Sequence, residues 1–319
     1  MSDVRETLVA VVVTYNRLAK LRETLARLLA EAPEDLAQVL VVDNASSDGT
    51  GDWLDTLEDA RLTICRNQVN IGGSGGFEQG MREAVKRWDP DWVVVMDDDA
   101  RPAPGALAAF HALDKGGYDG LAAAVYFPDG TICKMNTPSR NPFWHGREFV
   151  QTLFGGGRDG FHLSPADYDG VGRAIDVTSF VGFFVSRRGI GKAGYPDGKL
   201  FVYGEDALFT LRLSRAGGRL WFAPQIRFEH DCSTFEGQRV TPLWKVYYFH
   251  RNLLMLYRLA AGWLFWPVML VILPRWFFRV RFYGADRRAF LRLLGGAVRD
   301  GLARRTDRSH KDVLALTKG

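Results

Sequence analysis

Three consecutive carboxylates, Asp97, Asp98 and Asp99, are the residues of this chain best suited to chemistry. They directly follow an apolar run, residues 92–96, that has the length and composition of a buried strand. Adjacent negative charges repel one another and hard divalent cations prefer carboxylate oxygens, so Asp97 and Asp99 are candidate ligands for Mn²⁺ or Mg²⁺, bridging to a diphosphate. The alternative is a solvated strand end that caps a helix beginning near Arg101 and Pro102.

Four further polar residues could complete such a site. Asp43 ends the apolar run 39–42, and its carboxylate could accept the imide proton of a uracil or thymine. An Asx turn at Asp43 is an equally good interpretation. Glu205 and Asp206 begin a helical pattern, and His230 follows another apolar run. Each feature alone is ordinary, but beside the triplet these residues offer a general base and a third metal ligand.

Residues 70–76, Asn-Ile-Gly-Gly-Ser-Gly-Gly, place four glycines just before a helical pattern. Glycine permits close backbone approach, and a helix N-terminus suits phosphate or other polar ligand groups. The third glycine of a dinucleotide fingerprint and the GK[ST] of a P-loop are both missing. The stretch is therefore a general candidate for ligand contact, with a flexible turn as the alternative.

The elements that must position these residues alternate regularly in the first half of the chain. Apolar runs at 8–14, 39–42, 62–65 and 93–96 predict strands, and helical patterns follow at 18–30, near 53–54 and at 77–88, with Asn16 as a candidate cap of the first helix. This alternation predicts an α/β fold with a mostly parallel central sheet flanked by helices. Since ligands bind beyond the carboxyl ends of such strands, Asp43 and Asp97 are expected at one crevice.

The second half of the chain is less regular. We expect a hairpin turning at residues 128–130, and an insertion or mobile loop over the Gly-, Pro- and aromatic-rich segment 136–172. Strand character returns at 175–185, a helical pattern at 208–213 and a further strand near 220–222.

Composition limits the class of protein. The chain has 319 residues, 47% of them hydrophobic, which predicts a globular protein with a sizeable core. Its cysteines, Cys65, Cys133 and Cys232, are widely spaced without a CxxC pair, so neither a disulfide framework nor a zinc knuckle is indicated. The first residues lack the pattern of a signal peptide, and a cytoplasmic location is expected. No recognisable nucleic-acid-binding module is present in the sequence, so nucleic acid is not an expected partner.

The C-terminal region predicts contact with a membrane surface. Residues 275–319 carry twelve Lys or Arg against four Asp, and residues 259–274 before them are uncharged. This apolar segment is shorter than the ~20 residues of a spanning helix, and Gly262 and Pro267 interrupt it. With the aromatic and basic residues around it, we expect residues 259–308 to lie on the cytoplasmic face of the plasma membrane as a peripheral segment. Packing on the protein itself, or in a dimer, is the alternative. We expect a domain over residues 1–250 and a helical, membrane-associated region over 251–319.

Together these motifs resemble a glycosyltransferase of family 2 with the GT-A fold, over roughly residues 7–255. The resemblance rests on residues 14–16 (Thr-Tyr-Asn), 42–46 (Val-Asp-Asn-Ala-Ser), the acidic triplet, residues 204–206 (Gly-Glu-Asp), His230 and residues 247–252. Within the family, the glycine-rich stretch followed by Met-Asp-Asp-Asp is most similar to bacterial galactofuranosyltransferases, which use UDP-galactofuranose. Rhamnosyltransferases share the outline.

The resemblance implies roles for individual residues. Asp97, Asp99 and His230 would bind the divalent cation, and Asp206 would be the catalytic base. Asp43 would contact the uracil and Asp98 the ribose or donor sugar. The remaining implied positions are Thr14, Asn16, Asn70, Gly72, Gly73, Ser74 and Gly75 near the donor, and Phe180, Val181 and Glu205 on the acceptor side.

The resemblance thus implies an inverting, metal-dependent transferase that moves galactofuranose to a hydroxyl of a lipid-linked or cell-surface glycan. The membrane-leaning C-terminus is consistent with an acceptor on a polyprenyl diphosphate. A rhamnosyltransferase using dTDP-rhamnose and a non-catalytic nucleotide-sugar-binding protein are the alternatives, and homo-oligomerisation is left open. A nucleotidyltransferase ranks lower because only Arg17 and Lys20 stand near the first strand.

Overall fold

The computed structural model describes residues 5–232 and 239–318, and these form a mixed sheet with helices on both faces. The strands are β1 (Leu8–Thr14), β2 (Gln38–Asp43), β3 (Leu62–Arg66), β4 (Trp92–Asp97), β5 (Ala100–Pro102), β6 (Gly120–Tyr126), β7 (Arg173–Ile175), β8 (Phe183–Ser186) and β9 (Leu220–His230). The helices are α1 (Leu18–Leu29), α2 (Thr50–Leu54), α3 (Gly72–Trp88), α4 (Ala106–Ala112), α5 (Gly146–Gln151), α6 (Arg187–Ala193), α7 (Glu205–Arg215), α8 (Lys245–Ala261), α9 (Phe265–Phe278), α10 (Arg287–Leu302) and α11 (His310–Ala315).

The strand order is β3-β2-β1-β4-β8-β6-β9-β5, with β7 also paired to β9. The first four strands are parallel, as the alternating pattern predicts. Strand β8 runs antiparallel to both β4 and β6, so the second half of the sheet is mixed rather than mostly parallel. The α/β class is confirmed, and the parallel half carries the strand ends on which the site was predicted.

Alternate side chains of β1 enter two hydrophobic cores, one on each face of the sheet. Leu8, Ala10 and Val12 pack in the core that includes residues of α1 and α4. Val9, Val11 and Val13 pack in the core that includes residues of α3 and α7. A strand buried on both faces reads as a continuous apolar run, which is why residues 8–14 predicted a strand so clearly.

Strand β5 corrects the sequence interpretation. Residues 100–102 do not begin a helix; they pair antiparallel with the end of β9, and α4 begins only at Ala106. Strand β9 likewise extends to His230, well beyond the predicted 222. The register places Ala100 opposite His230, so this pairing brings the histidine beside the acidic triplet.

Other boundaries also differ from expectation. Helix α3 begins at Gly72 rather than at residue 77, and the expected strand 175–185 is divided into β7 and β8 by a loop. The turn at 128–130 is confirmed, but it closes only an isolated bridge between Tyr126 and Ile132. The segment 136–172 contains α5 and short helical turns instead of a wholly irregular loop.

Helices α8 to α11 form a third hydrophobic core beside the sheet. Helix α8 runs through the expected domain boundary at 250/251, and it packs on α7 as well as on α10. Among the described residues, Lys245–Phe282 is the helical stretch long and apolar enough to cross a membrane, judged by length and composition alone. Only 17% of its most apolar 18-residue window is buried in the protein. Most of this window therefore does not pack against the rest of the chain.

Candidate functional site

The ends of three strands come together at one edge of the sheet. The register pairs Thr14 of β1 with Asp43 of β2, and Val13 with Asp97 of β4. Parallel strands end at the same edge, so the expectation that Asp43 and Asp97 share one edge is confirmed.

Asp97, Asp99 and His230 form a compact group of potential metal ligands. One ligand atom from each lies within 4.8 Å of the others, and His230 Nε2 is 3.2 Å from Asp99 Oδ1. Asp99 and His230 are buried, and Asp97 is partly buried. Carboxylate oxygens with one imidazole nitrogen suit Mn²⁺ or Mg²⁺, so the residues present fit the cation that the resemblance implies.

The pKa values of these three groups are shifted in different directions. Burial, and then the neighbouring Asp99, raise the pKa of Asp97. Burial acts in the same direction on Asp99, but the hydrogen bonds and positive charges of His230 and Arg17 together outweigh it and hold the pKa of Asp99 below its usual value. Burial alone would lower the pKa of His230, but Asp99, Cys232 and Asp97 together outweigh burial and raise this pKa. A bound cation would relieve the repulsion that raises the pKa of Asp97.

Asp98 points to different partners. Its Oδ2 accepts a 2.7 Å hydrogen bond from the Thr14 hydroxyl, and its Oδ1 is 3.4 Å from the guanidinium of Arg17. Burial raises the pKa of Asp98 to about 6. Arg17 also pairs with Asp99, although sequence reasoning gave it no role in this site. The signal that could have found it is its position directly after residues 14–16, at the end of β1.

The second nitrogen of His230 is held by Asn136. His230 Nδ1 is 2.7 Å from Asn136 Oδ1, and the Asn136 amide donates to Ser179 Oγ at 2.9 Å. A donor bond from Nδ1 directs Nε2 toward Asp99, which is the usual way a ligating histidine is oriented. Sequence reasoning missed Asn136, which lies in the segment without periodicity.

The loop after β2 uses its polar residues for turn geometry. Asp43 Oδ1 accepts from the Ser46 amide at 2.9 Å, so the Asx turn is present, and the side chain is 4% exposed. Asn16 does not cap α1: its φ is +54°, and its Oδ1 accepts from the Ser47 amide at 2.7 Å. Asp48 accepts from the Leu18 amide instead. Asn16 thus ties the loops after β1 and β2 together.

The glycine-rich stretch forms the first turn of α3. Gly72 has φ +79°, and a Cβ there would lie 2.1 Å from the Phe201 carbonyl oxygen. Its amide donates to Asn70 Oδ1 at 2.7 Å, and the Ser74 amide donates to the Phe201 carbonyl at 3.1 Å. A Cβ on Gly75 would crowd the side chain of Ile71, whereas one on Gly73 would meet nothing within 4 Å. Of the glycines predicted near the donor, Gly73 is the one that faces open space.

Asp206 lies in the first turn of α7, beside the glycine-rich stretch. Its Oδ1 accepts from the Ala207 amide at 2.6 Å, and the Phe180 backbone also bonds to its carboxylate. Ser74 Oγ donates to Glu205 Oε2 at 3.1 Å. Burial raises the pKa of both acidic groups, and the neighbouring Asp206 adds to the shift of Glu205. A carboxylate with a raised pKa is a better proton acceptor, as a general base requires.

Helix α8 holds the loop that precedes Asp206. Phe201 and Tyr203 both have φ +69°, a backbone conformation that is strained for side chains of this size. The Asn252 amide donates to the carbonyls of Val202 and Tyr203 at 3.0 and 2.7 Å, and buried Arg251 donates to the Leu200 carbonyl at 2.8 Å. Residues 247–252, one of the segments on which the resemblance rests, therefore stabilise the loop that precedes Asp206.

Phe180 and Val181 point into the protein interior. Phe180 is 3% exposed and its ring centroid lies 5.1 Å from that of Phe77, while Val181 is 4% exposed in the core on the other face of the sheet. Phe180 reaches Asp206 through its backbone. The acceptor role of these two side chains stays a prediction.

An open cleft of about 620 Å³ borders the acidic triplet. Its walls come from the start of α1 and from the segment after β9. They include Arg17, Lys20, Asp99, Asp231 and Cys232, and Lys20 forms an ion pair with Asp231. A ligand therefore has access to the metal-ligand group from this side.

A parallel half-sheet with acidic strand ends, a histidine added by an antiparallel strand and a carboxylate in the first turn of α7 agree with the GT-A fold expected from the sequence. The family model described as glycosyl transferase family 2 matches residues 9–165, which include Asp43, the glycine-rich stretch and the triplet. Over these residues, just under half of its length, the chain is similar to glycosyltransferase family 2.

Three curated relatives are similar to this chain. The undecaprenyl-phosphate mannosyltransferase of Micrococcus luteus is 31% identical over 147 residues, 46% of this chain and 59% of that protein. The galactofuranosyltransferase GlfT1 of Mycolicibacterium smegmatis is 28% identical over 72% of this chain and 73% of its own length. The N-acetylglucosaminyl-diphospho-decaprenol L-rhamnosyltransferase of Mycobacterium tuberculosis is 27% identical over 75% of this chain and 79% of its own length.

Among solved structures, the mannosyltransferase PcManGT of Pyrobaculum calidifontis, in complex with GDP-Man and Mn²⁺, has a similar fold. The TM-score is 0.54 at 18% identity, over 98% of this chain and 79% of that one. A likeness at this identity concerns the fold, and the GT-A fold expected from the sequence is confirmed.

Proposed function

We propose that this protein is a metal-dependent, inverting glycosyltransferase that moves galactofuranose from UDP-galactofuranose to a hydroxyl of a lipid-linked or cell-surface glycan. The observation that carries the proposal is the grouping of Asp97, Asp99 and His230 at the sheet edge. The similarity to galactofuranosyltransferase GlfT1 over most of its length supports the choice of sugar.

The residues divide the chemistry between them. Asp97, Asp99 and His230 would hold Mn²⁺ or Mg²⁺, which supplies positive charge to the departing nucleoside diphosphate. Asp206 takes the proton of the acceptor hydroxyl as that oxygen attacks the anomeric carbon. Because the acceptor displaces the diphosphate directly, the configuration at that carbon inverts and no covalent sugar–enzyme intermediate is needed.

On the donor side, Asp43 would accept a hydrogen bond from the uracil imide N–H through the carboxylate oxygen that the Asx turn does not use. Asp98 would face the ribose or sugar, and its present partners Thr14 and Arg17 fix its position. Gly73 leaves room at the first turn of α3, where backbone amides favour phosphate oxygens.

The exposed face of α9 and the turn before it support a membrane-borne acceptor. Trp263, Leu270 and Phe278 are 85%, 79% and 69% exposed. With Arg275 and Arg281 nearby, these side chains suit the interface of an anionic membrane. We infer a peripheral protein at the cytoplasmic membrane face, acting on a glycan carried by a polyprenyl diphosphate.

A donor screen tests the function. Purified protein is incubated with UDP-galactofuranose, UDP-galactopyranose or dTDP-rhamnose, with Mn²⁺ or with EDTA, and release of nucleotide is measured with and without a polyprenyl-diphosphate glycan. Turnover of UDP-galactofuranose that EDTA abolishes supports the proposal. Turnover of dTDP-rhamnose alone would identify a rhamnosyltransferase, for which the mycobacterial relative is the precedent. Binding of nucleotide sugar without any metal-dependent turnover would identify a non-catalytic binder.

A further inference from the structure

The imidazole of His230 separates two different sets of side chains. Nε2 faces Asp99, whereas Nδ1 lies 3.9 Å from the sulfur of Cys133. Cys232, two residues beyond His230, completes this second set. The sulfurs of Cys133 and Cys232 and a ring nitrogen of His230 all lie within 4.8 Å of one another.

The two cysteines reach this position from distant parts of the chain. Cys133 is fully buried at the turn after β6, and its thiol donates to Asn136 Oδ1 at 3.0 Å. Cys232 follows β9 and lines the open cleft together with Asp99. An ion in the cleft therefore has a route to the thiols, while one ligand is already held inside the protein.

We propose that Cys133, Cys232 and His230 form a second metal site, selective for a soft divalent cation such as Zn²⁺. Two thiolates with one imidazole are a ligand set that Zn²⁺ takes, with an oxygen in the fourth position. Hard cations such as Mg²⁺ and Mn²⁺ prefer the carboxylates on the other side of the ring. Asn136 Oδ1, which accepts hydrogen bonds from both Cys133 and His230, offers an oxygen on this side. Binding releases the two thiol protons and the Nδ1 proton of His230 to solvent.

The second site competes with the first for His230. A neutral imidazole has one lone pair, so a cation on Nδ1 leaves the remaining ring proton on Nε2, where it faces Asp99. His230 then cannot serve as a ligand beside Asp97 and Asp99. Zinc bound to the thiols thus inhibits by removing the third ligand of the hard-cation site. This consequence rests on the proposed function, whereas the existence of the thiol site does not.

Cadmium binding tests the site directly. The full-length protein, kept reduced with a phosphine, is titrated with Cd²⁺, and the thiolate-to-metal charge-transfer absorption is recorded. We expect one equivalent to bind in the unaltered protein and in Cys65→Ser, whose thiol lies on β3 away from His230. Cys232→Ser, a change at a partly exposed position, is expected to bind at least about tenfold more weakly.

Two results of the cadmium titration would overturn the proposed site. One is the absence of the charge-transfer band in the unaltered protein, and the other is equal cadmium affinity in Cys232→Ser and Cys65→Ser. Cys133→Ser supplies a second check, and only if circular dichroism shows it folded is its cadmium titration compared. A folded Cys133→Ser that still binds like Cys65→Ser would also contradict the proposal.

Inhibition tests the competition separately. Mn²⁺-supported turnover is measured against Zn²⁺ concentration, and Cys232→Ser is expected to need at least about tenfold more Zn²⁺ for half inhibition than Cys65→Ser. Equal inhibition of the two variants would overturn the competition. If no donor is turned over at all, the proposed function fails, and the cadmium band alone still decides whether the thiol site exists.

Discussion

The guanidinium of Arg17 pairs with the carboxylate of Asp99, the same carboxylate that contacts His230. Asp99 therefore contacts a positive group, Arg17 at the start of α1, and also His230, a candidate metal ligand. The nearby acidic groups raise the pKa of Arg17 although burial opposes this. Arg17 supplies part of the positive charge that the acidic triplet requires.

Replacing Arg17 by Gln should make the triplet more dependent on a cation. Without the guanidinium, repulsion among the carboxylates is less compensated, so the melting temperature in EDTA should fall and the increase on adding Mn²⁺ should grow. Thermal unfolding with and without Mn²⁺ measures both. Arg22→Gln, on the exposed face of α1, is the control. A smaller Mn²⁺ effect in Arg17→Gln than in the control would show that Arg17 does not offset the triplet.

Asp206→Asn should retain donor binding and lose transfer. The amide keeps the shape of the side chain but cannot take the acceptor proton, so kcat should fall by about 10²- to 10⁴-fold. Donor Kd by calorimetry and kcat with a glycan acceptor separate the two effects. Asp52→Asn, an exposed change on α2, should behave as the unaltered protein. Normal turnover in Asp206→Asn would assign the base elsewhere.

The pH profile should carry the signature of the same base. Asp206 acts when deprotonated, and burial raises its pKa above the ordinary aspartate value. Activity should therefore be present above this raised pKa and be lost as pH falls through it, at a higher pH than an exposed aspartate would titrate. The measurement is kcat against pH at saturating donor and Mn²⁺. An acid limb near the ordinary aspartate value would contradict a buried base.

Asn136→Ala should lower the affinity of the site for its cation, although Asn136 contacts only the far nitrogen of His230. Loss of the acceptor at His230 Nδ1 frees the ring to reorient, and metal affinity should fall by about 10- to 100-fold while saturating Mn²⁺ restores most activity. Asn136→Asp keeps an acceptor oxygen and should retain affinity within a few-fold. The readout is the Mn²⁺ concentration for half-maximal turnover. Equal Mn²⁺ affinities in Asn136→Ala and Asn136→Asp would show that Asn136 does not position His230.

Gly72→Ala and Gly73→Ala form a matched pair on the glycine-rich stretch. At Gly72 the positive φ and the contact with the Phe201 carbonyl strain any Cβ, so the free energy of unfolding should drop by at least about 1–3 kcal/mol. At Gly73 a Cβ meets open space, and stability should hardly change. Urea unfolding compares the two. Similar losses in both variants would show that the close approach to Phe201 is not what requires glycine.

The parallel half of the sheet was predictable because β1, β2 and β4 are buried on both faces and read as apolar runs. The edge that joins Asp43 to Asp97 followed from the same pattern. The start of α3 was missed because glycine has low intrinsic helix propensity. In the structure Gly76 and Gly80 are required by close packing, since a Cβ on them would lie 2.5 and 2.4 Å from side-chain atoms of Val13 and Val11.

The surroundings of His230 could not be predicted in the same way. Its neighbours Asp99, Asn136 and Cys133 come from a strand pairing and a loop that are remote in sequence, and no local periodicity encodes them. Residues 100–102 also read as the start of a helix, because Pro favours the first helical turn as much as an edge strand. The pairing of β5 with β9 is decided by tertiary packing.

Helix α8 joins the loop before Asp206 to the apolar stretch that continues into α9. Ala261 lies ten residue steps beyond Arg251 in this helix, a rise of about 15 Å at 1.5 Å per residue. If the exposed tryptophans beyond Ala261 rest in a lipid headgroup layer, as proposed, this helix limits how closely Asp206 can approach the bilayer. An acceptor would then be in reach only if its carrier holds the sugar hydroxyl at a matching height above the lipid.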